Sequence, residues 1–125
     1  MADGANHVVQ YLQGMYNTVK LYHWSTHSHA RHIASDQLTQ ELLKTIDHLV
    51  EVYIGRYERP RFPNGMTLHV PQDDDAAAVE QLKEYGRWLK TDFLHFVKPH
   101  DTDLLNIRDE LLAALHQTLY RYTLI

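Results

Sequence analysis

The sequence contains no cysteine. Without thiols the chain cannot form a disulfide framework, a thiolate zinc site or a cysteine nucleophile, so any metal or acid–base chemistry must use histidine, aspartate and glutamate. These side chains suit hard or borderline metals such as iron, manganese and zinc. Ten of the 125 residues are histidines, so nitrogen ligands are plentiful.

Long apolar runs and an early basic segment are also missing. No apolar run approaches the roughly 20 residues that cross a bilayer, and the start, Met1 to Gly4, lacks the basic and apolar regions of a signal peptide. These absences predict a cytoplasmic, intracellular protein with no membrane partner. The formal net charge is −4 and the first 19 residues contain no Lys or Arg. Both facts argue against nucleic acid as a partner, because phosphate binding needs positive charge.

Apolar residues recur at helical spacing in four segments, which predicts an all-α protein. The predicted helices span residues 5–25, 30–54, 74–98 and 101–124. Gly55 is expected to end the second helix and Pro99 the third, whereas Asp101 or Asp103 is expected to cap the fourth. The length is that of one domain, so residues 1–125 are predicted to form a single four-helix domain.

Residues 56–73 hold three prolines and one glycine and are predicted to form a long loop. Fully extended, this loop could span about 60 Å, whereas a helix of about 24 residues is only about 36 Å long. The loop can therefore return along the whole bundle. Such a return makes the second and third helices parallel, which is the topology of a bundle with one long crossover.

Two pairs of potential ligands lie on the second predicted helix. Asp47 and Glu51 are four residues apart, so both carboxylates project from one helix face and can bind one cation. His32 and Asp36 form a second pair with the same spacing. The pairs share a stripe, because fifteen residues at about 100° each bring Asp47 to within roughly 60° of His32.

Distance limits how these groups can combine. His32 and Asp47 lie about 22 Å apart along the helix axis, so one chain cannot wrap both around a single metal. A two-fold dimer with antiparallel second helices can. In such a dimer, the end of one subunit that carries His23 and His32 meets the end of its partner that carries Asp47 and Glu51, which creates two equivalent sites.

At these residues the sequence resembles the mini-ferritins, or Dps-like proteins. Their pattern is a His-Trp at the end of the first helix, a His that opens the second, an Asp fifteen residues later and a Glu four residues after that; here the matching residues are His23, Trp24, His32, Asp47 and Glu51. The interval from His23 to His32 is shorter than the family's usual interval, so the shortened turn could keep the two imidazoles from converging as they do there.

The resemblance implies a ferritin-like four-helix bundle and a di-iron ferroxidase centre at a two-fold interface. His23 and His32 would bind iron from one subunit, and Asp47 and Glu51 from the other. Trp24 would be a nearby aromatic that quenches stray oxidising equivalents. The implied partner is a second copy of the chain, in a homodimer at least or in a hollow homo-oligomer; zinc or manganese are alternative metals.

The same segment, together with residues 106–110, also resembles an uncharacterised ferritin-like family of large DNA viruses and phages. That resemblance implies a location in a virion or in host cytoplasm. A non-catalytic ferritin-like helical module with a structural or binding role is the alternative function. A DNA-compacting role like that of some Dps relatives is disfavoured by the negative charge and by the lack of a basic tail.

Several candidate residues also have ordinary structural interpretations. Asp36 is expected to be mainly structural, paired with Arg31 or Arg108, although it could share in the metal site. Trp24 is expected in the core, and His27 and His29 in a solvated turn. A second metal site within one subunit, on the fourth helix, has as its candidate ligands Asp109, Glu110 and His116.

Overall fold

The computed structural model describes residues 4–71 and 74–125 and contains four α-helices and one short 3-10 helix. The α-helices are α1 (Gly4–Ser25), α2 (His29–Arg56), α3 (Asp75–Lys90) and α4 (Thr102–Arg121), and the 3-10 helix is Asp92–Phe96. The described residues contain no strand. The predicted all-α four-helix architecture is therefore confirmed. Parts of the predicted domain and loop, residues 1–3 and 72–73, lie outside the described residues.

Two helices begin at side-chain caps. The Ser28 hydroxyl accepts a hydrogen bond from the backbone N–H of Arg31, which is the third residue of α2. The Asp74 carboxylate accepts one from the backbone N–H of Ala77 at 2.6 Å. Each cap satisfies a backbone donor that a helix leaves unpaired in its first turn, and this fixes where α2 and α3 start.

Two helix ends differ from the sequence-based prediction. Gly55 does not end α2, which continues through Arg56; Gly55 keeps a negative φ and so forms no left-handed cap. The third helix stops at Lys90 rather than near Pro99. The hydroxyl of Thr91 donates to the carbonyl of Arg87 at 2.7 Å, and the chain continues as the 3-10 helix, which buries Phe93 completely.

The core lies between the four helices and consists mainly of leucine. Burying one such side chain contributes about 2 kcal/mol. The fully buried leucines are Leu12, Leu38, Leu42, Leu49, Leu89, Leu104, Leu111 and Leu115. Ile33 of α2 is apolar but 44% exposed. Its neighbour Ala34 is buried instead, because the inward face of α2 passes through position 34 and position 33 lies about 100° away.

The segment that follows α2 packs along α1. The side chain of Asn6, near the start of α1, donates to the carbonyl of Arg61 at 2.9 Å. Gln10, one turn later, donates to the carbonyl of Thr67 at 2.6 Å. The segment therefore runs in the same direction as α1, from its start towards its end.

The helix that follows returns along α1. Tyr22, near the end of α1, donates a 2.6 Å hydrogen bond to Asp75 at the start of α3. Tyr11, earlier in α1, stacks on Trp88, late in α3, with ring centroids 4.0 Å apart. α3 is therefore antiparallel to α1. No helix in the described part of the chain is long and apolar enough to cross a membrane.

Candidate metal centre

His23 and His32 meet across the turn between α1 and α2. His23 is 8% exposed and His32 is half-buried. Their rings stack with centroids 4.0 Å apart and planes inclined by 15°. The short turn therefore does not keep the two imidazoles apart.

Reciprocal hydrogen bonds hold the two rings in place. Nδ1 of His23 lies 2.8 Å from the carbonyl oxygen of His32, and Nδ1 of His32 lies 2.8 Å from the carbonyl oxygen of His23. A carbonyl oxygen can only accept, so each Nδ1 is the donor and carries hydrogen. In the neutral imidazole this leaves the lone pair on Nε2. A backbone carbonyl bound to one ring nitrogen is the arrangement that orients a histidine for metal binding through the other.

Asp36 supplies a carboxylate next to this pair. Its Oδ1 lies 3.9 Å from Nε2 of His23, and its side chain is 41% exposed. Its Oδ2 accepts a hydrogen bond from Gln40 one turn later. Neither Arg31 nor Arg108 pairs with it among the described contacts, so the predicted ion pair is wrong. Both arginines bind backbone carbonyls of other elements instead.

Asp47 and Glu51 lie farther along α2. Both are exposed, and neither has a hydrogen bond or an ion pair within the described residues. Asp47 lines a groove of about 210 Å³ between α1 and α2. The helix rise places it about 22 Å from His32, so a single chain does not bring these carboxylates to the histidines.

The side chains of one chain offer at most part of the expected metal site. Two imidazole nitrogens and one carboxylate suit iron, zinc or manganese. With bonds of about 2.1 Å on each side, a cation could lie between Nε2 of His23 and Oδ1 of Asp36. No group of three or more His, Asp or Glu side chains among the described residues is arranged to hold a metal by itself. A full coordination shell therefore needs ligands from another source.

Three side chains next to the histidine pair also had sequence-based interpretations, and only some of these interpretations agree with the structure. Trp24 is 65% exposed, so its assignment to the core is wrong. Its ring lies under the ammonium group of Lys20, with Nζ 5.1 Å from the ring centroid. His27 and His29 are exposed, in agreement with a solvated turn.

The alternative site on α4 is not assembled in this chain. Its candidate ligands Asp109, Glu110 and His116 are all exposed. Asp109 pairs with Arg108 at 2.9 Å. Among the described residues, these three form no cluster that could hold a cation.

Sequence reasoning missed the polar contacts that fix the turn beside the histidines. Asp75 accepts hydrogen bonds from the hydroxyls of Tyr22 and Thr26, at 2.6 and 2.8 Å. Arg31 donates to the Tyr22 hydroxyl at 3.0 Å and to the Asp75 carbonyl at 2.9 Å. The bonds from Tyr22 and then Thr26 lower the pKa of Asp75. No spacing rule could reveal contacts between residues so far apart in the chain.

Comparison with known proteins places the chain in a family. No curated protein and no solved structure matches it. Residues 23–122 match DUF5856, a family of unknown function. The matched segment begins at His23 and includes His32, Asp36, Asp47 and Glu51. Because it covers most of the chain, the protein belongs to the DUF5856 family of unknown function.

Proposed function

We propose that the protein is a mini-ferritin-like ferroxidase that binds and oxidises ferrous iron at a di-metal centre between two copies of the chain. The observation that supports this best is the reciprocal hydrogen bonding of His23 and His32. It orients both imidazoles and leaves Nε2 of each ring free of these bonds, with Nε2 of His23 3.9 Å from Asp36. Oriented imidazoles with a nearby carboxylate are typical of metal sites.

The second half of the centre would come from Asp47 and Glu51 of a second copy. In an antiparallel pair of α2 helices, the two-fold axis lies midway between residues that face each other. If His32 faces Glu51, the axis passes near residues 41 and 42; if His32 faces Asp47, it passes near residues 39 and 40. Leu43, which is 63% exposed, lies within about 5 Å of either position along the helix. Two such leucines would form an apolar centre between the charged ends.

The ferrous ion is the substrate in this proposal. His23 and His32 bind it through neutral nitrogen, and Asp36, Asp47 and Glu51 supply carboxylate oxygens and negative charge. Each ferrous ion gives one electron to dioxygen or hydrogen peroxide and becomes ferric. Trp24, next to His23, is placed to quench stray oxidising equivalents. Zinc or manganese suits the same donor set, and a supply of ferrous ion fits an intracellular location.

Aerobic addition of ferrous iron, followed by ferric absorbance, tests the activity. We expect oxidation faster than in buffer and a loss of that excess rate in the double variant Asp47→Asn, Glu51→Gln. Glu41→Gln is the matched control, because Glu41 is exposed on the same helix and has no partner among the described contacts. A wild-type rate equal to that of buffer, or an equal loss in the control, would contradict the proposal.

A mixing experiment tests whether two chains share the site. One variant carries His23→Ala and His32→Ala, and the other carries Asp47→Asn and Glu51→Gln. A homodimer of either variant has no complete site. A heterodimer keeps one complete site of its two, in which the histidines of one chain meet the carboxylates of the other. Random exchange should therefore restore about a quarter of the wild-type excess rate. No recovery, with exchange demonstrated by mass, would contradict a shared site.

The alternative is a non-catalytic ferritin-like helical module with a structural or binding role. Exposed apolar side chains on the first two helices favour an interaction surface; they are Leu21, Trp24, Ile33 and Leu43. This alternative predicts a stable assembly in solution that retains no metal and oxidises no iron. Metal analysis of the purified protein, together with its mass in solution, separates the two functions.

A further inference from the structure

A second candidate site lies in a cleft between α1 and α3, away from the turn that holds His23 and His32. Residues 67–71 border the cleft, and its volume is about 790 Å³. This volume falls within the range of small-molecule pockets, about 300–1,000 Å³. The candidate metal ligands do not line it.

Aromatic rings form a continuous row along this cleft. Tyr11 is the centre of the row: it meets Tyr85 edge-on at 5.9 Å and stacks on Trp88 at 4.0 Å. Trp88 continues to Phe96 at 6.4 Å, and His7 stacks on Phe96 at 5.4 Å. Aromatic faces carry partial negative charge, so they attract cations and favour flat ligands.

The formal charges around the cleft are also negative. Glu84 lines it, and none of the lining residues in the described part of the chain is a lysine or an arginine. The nearest guanidinium, that of Arg87, is shared between Glu84 at 2.6 Å and Asp92 at 3.2 Å. Two carboxylates therefore outweigh one cation. Burial first, and then the nearby Tyr85 and Glu84, raise the pKa of Tyr11, so this tyrosine stays neutral in the cleft wall.

We propose that this cleft binds a planar aromatic cation. The exposed parts of the ring row offer apolar contact for a flat ligand, and Glu84 and Asp92 together leave one negative charge beyond the positive charge of Arg87. The amide of Gln81 at the cleft wall can hydrogen-bond to ring substituents. Phosphate or carboxylate ligands would find no lysine or arginine to pair with. The site shares no proposed ligand with the iron centre, so either proposal can fail without the other.

Proflavine, a flat monocationic acridine, is the probe. The chain has two tryptophans, so a Trp24→Phe background leaves Trp88, in the cleft, as the only tryptophan reporter. We expect saturable quenching with one proflavine per chain. We expect the anionic dye anilinonaphthalene sulfonate to bind at least about tenfold more weakly. No saturation with proflavine, or equal affinity for the anion, would overturn the proposal.

Three further variants in the same background localise the binding. Gln81→Phe fills the cleft and should weaken proflavine binding at least about tenfold. Lys83→Phe, at an exposed position on the same helix, should not. Glu84→Gln removes only the charge and should reduce the preference for the cation over the anion. Equal binding by Gln81→Phe and Lys83→Phe, or an unchanged preference in Glu84→Gln, would overturn the proposal. If circular dichroism shows that Gln81→Phe is unfolded, Glu84→Gln decides.

Discussion

The two ends of the helical bundle bury polar side chains of opposite character. At the end where α2 meets α4, Asp101 is 1% exposed. It accepts hydrogen bonds from the Tyr57 hydroxyl and from the backbone N–H of Lys98. Its Oδ1 faces the guanidinium of Arg56 at 3.1 Å, as an ion pair rather than as a directed hydrogen bond.

At the other end, His23 is almost as buried, but it uses only one ring nitrogen. Its Nδ1 is bound to the carbonyl of His32, whereas its Nε2 lies 3.9 Å from Asp36, beyond hydrogen-bond distance. Nε2 of His23 is not one of the buried side-chain atoms that lack a hydrogen-bond partner, so it is open to solvent. Asp101 is held by contacts to Tyr57, Lys98 and Arg56, whereas Nε2 of His23 has no hydrogen bond among the described contacts and would bind the metal in the proposed function.

The largest expected change in stability follows substitution of Asp101. Asp101→Ala leaves the Tyr57 hydroxyl, a backbone N–H and a guanidinium without their acceptor, so we expect a loss of about 3 kcal/mol in the free energy of unfolding. Asp103→Ala is the control, because Asp103 pairs with the same Arg56 from an exposed position and should lower the free energy of unfolding much less. Urea denaturation measures the free energy of unfolding of both variants. Equal losses would contradict a special structural role for Asp101.

At the end of the bundle that holds His23 and His32, a substitution should weaken metal binding strongly and lower the free energy of unfolding only slightly. His32→Gln removes one Nε2 and should weaken metal binding at least about tenfold, while it lowers the free energy of unfolding by only about 1 kcal/mol. Calorimetric titration with zinc as a non-oxidising probe measures the binding. The matched control is His27→Gln, an exposed neighbour, which should bind as tightly as the wild type. If His32→Gln bound zinc as tightly as the wild type, His32 would have a structural role only.

Acid should weaken the contacts of Asp101 and Asp75. Burial raises the pKa of Asp101, but hydrogen bonds from Tyr57 and Lys98 and the charge of Arg56 outweigh it, so its pKa lies below the ordinary 3.8. Hydrogen bonds from Tyr22 and Thr26 lower the pKa of Asp75 in the same direction. A lowered pKa in the folded state stabilises the fold above the ordinary value, and this contribution is lost as the pH falls through the folded value.

Urea midpoints at neutral pH and near pH 3 test this dependence. Asp75→Asn should lose less stability on acidification than the wild type, because it has no proton to gain at that position. The same midpoints for Asp36→Asn serve as a comparison on a half-exposed carboxylate. If Asp75→Asn were as acid-sensitive as the wild type, Asp75 would not be one of the groups that protonate on unfolding.

The smallest expected effect is at Trp24. Because it is 65% exposed in the single chain, Trp24→Ala should change the free energy of unfolding of a monomer by no more than about 0.5 kcal/mol. Thermal unfolding at low protein concentration is the measurement. A loss that grows with protein concentration would instead place Trp24 in a contact between copies.

Much of the fold could be predicted from local patterns. The four helices follow from apolar spacing, and α1 begins and ends within one residue of the predicted bounds. The ends of α2 and α3 could not be predicted in the same way. Gly55 lies inside α2, which ends one residue later where the backbone N–H of Tyr57 bonds to the carbonyl of Tyr53, and the third helix gives way to a 3-10 helix that buries Phe93.

Part of the candidate site was also predictable. Asp47 and Glu51 share a face of α2 because helix geometry alone decides it, and both are exposed as a site between chains requires. The environment of Asp36 was not predictable. Its proximity to His23 rather than to an arginine depends on how α1 packs on α2, and spacing along one helix carries no information about that packing.

The sequence by itself determined the helical content, the absence of thiol chemistry and the one-sided arrangement of carboxylates on α2. These properties are local, because they depend on residue type and on the period of a single helix. Only the tertiary structure decided that His23 and His32 would bind each other's carbonyls, that Asp101 would be buried and that α1 and α3 would enclose a cleft. Those outcomes depend on side chains that are distant in sequence and meet only when the helices pack.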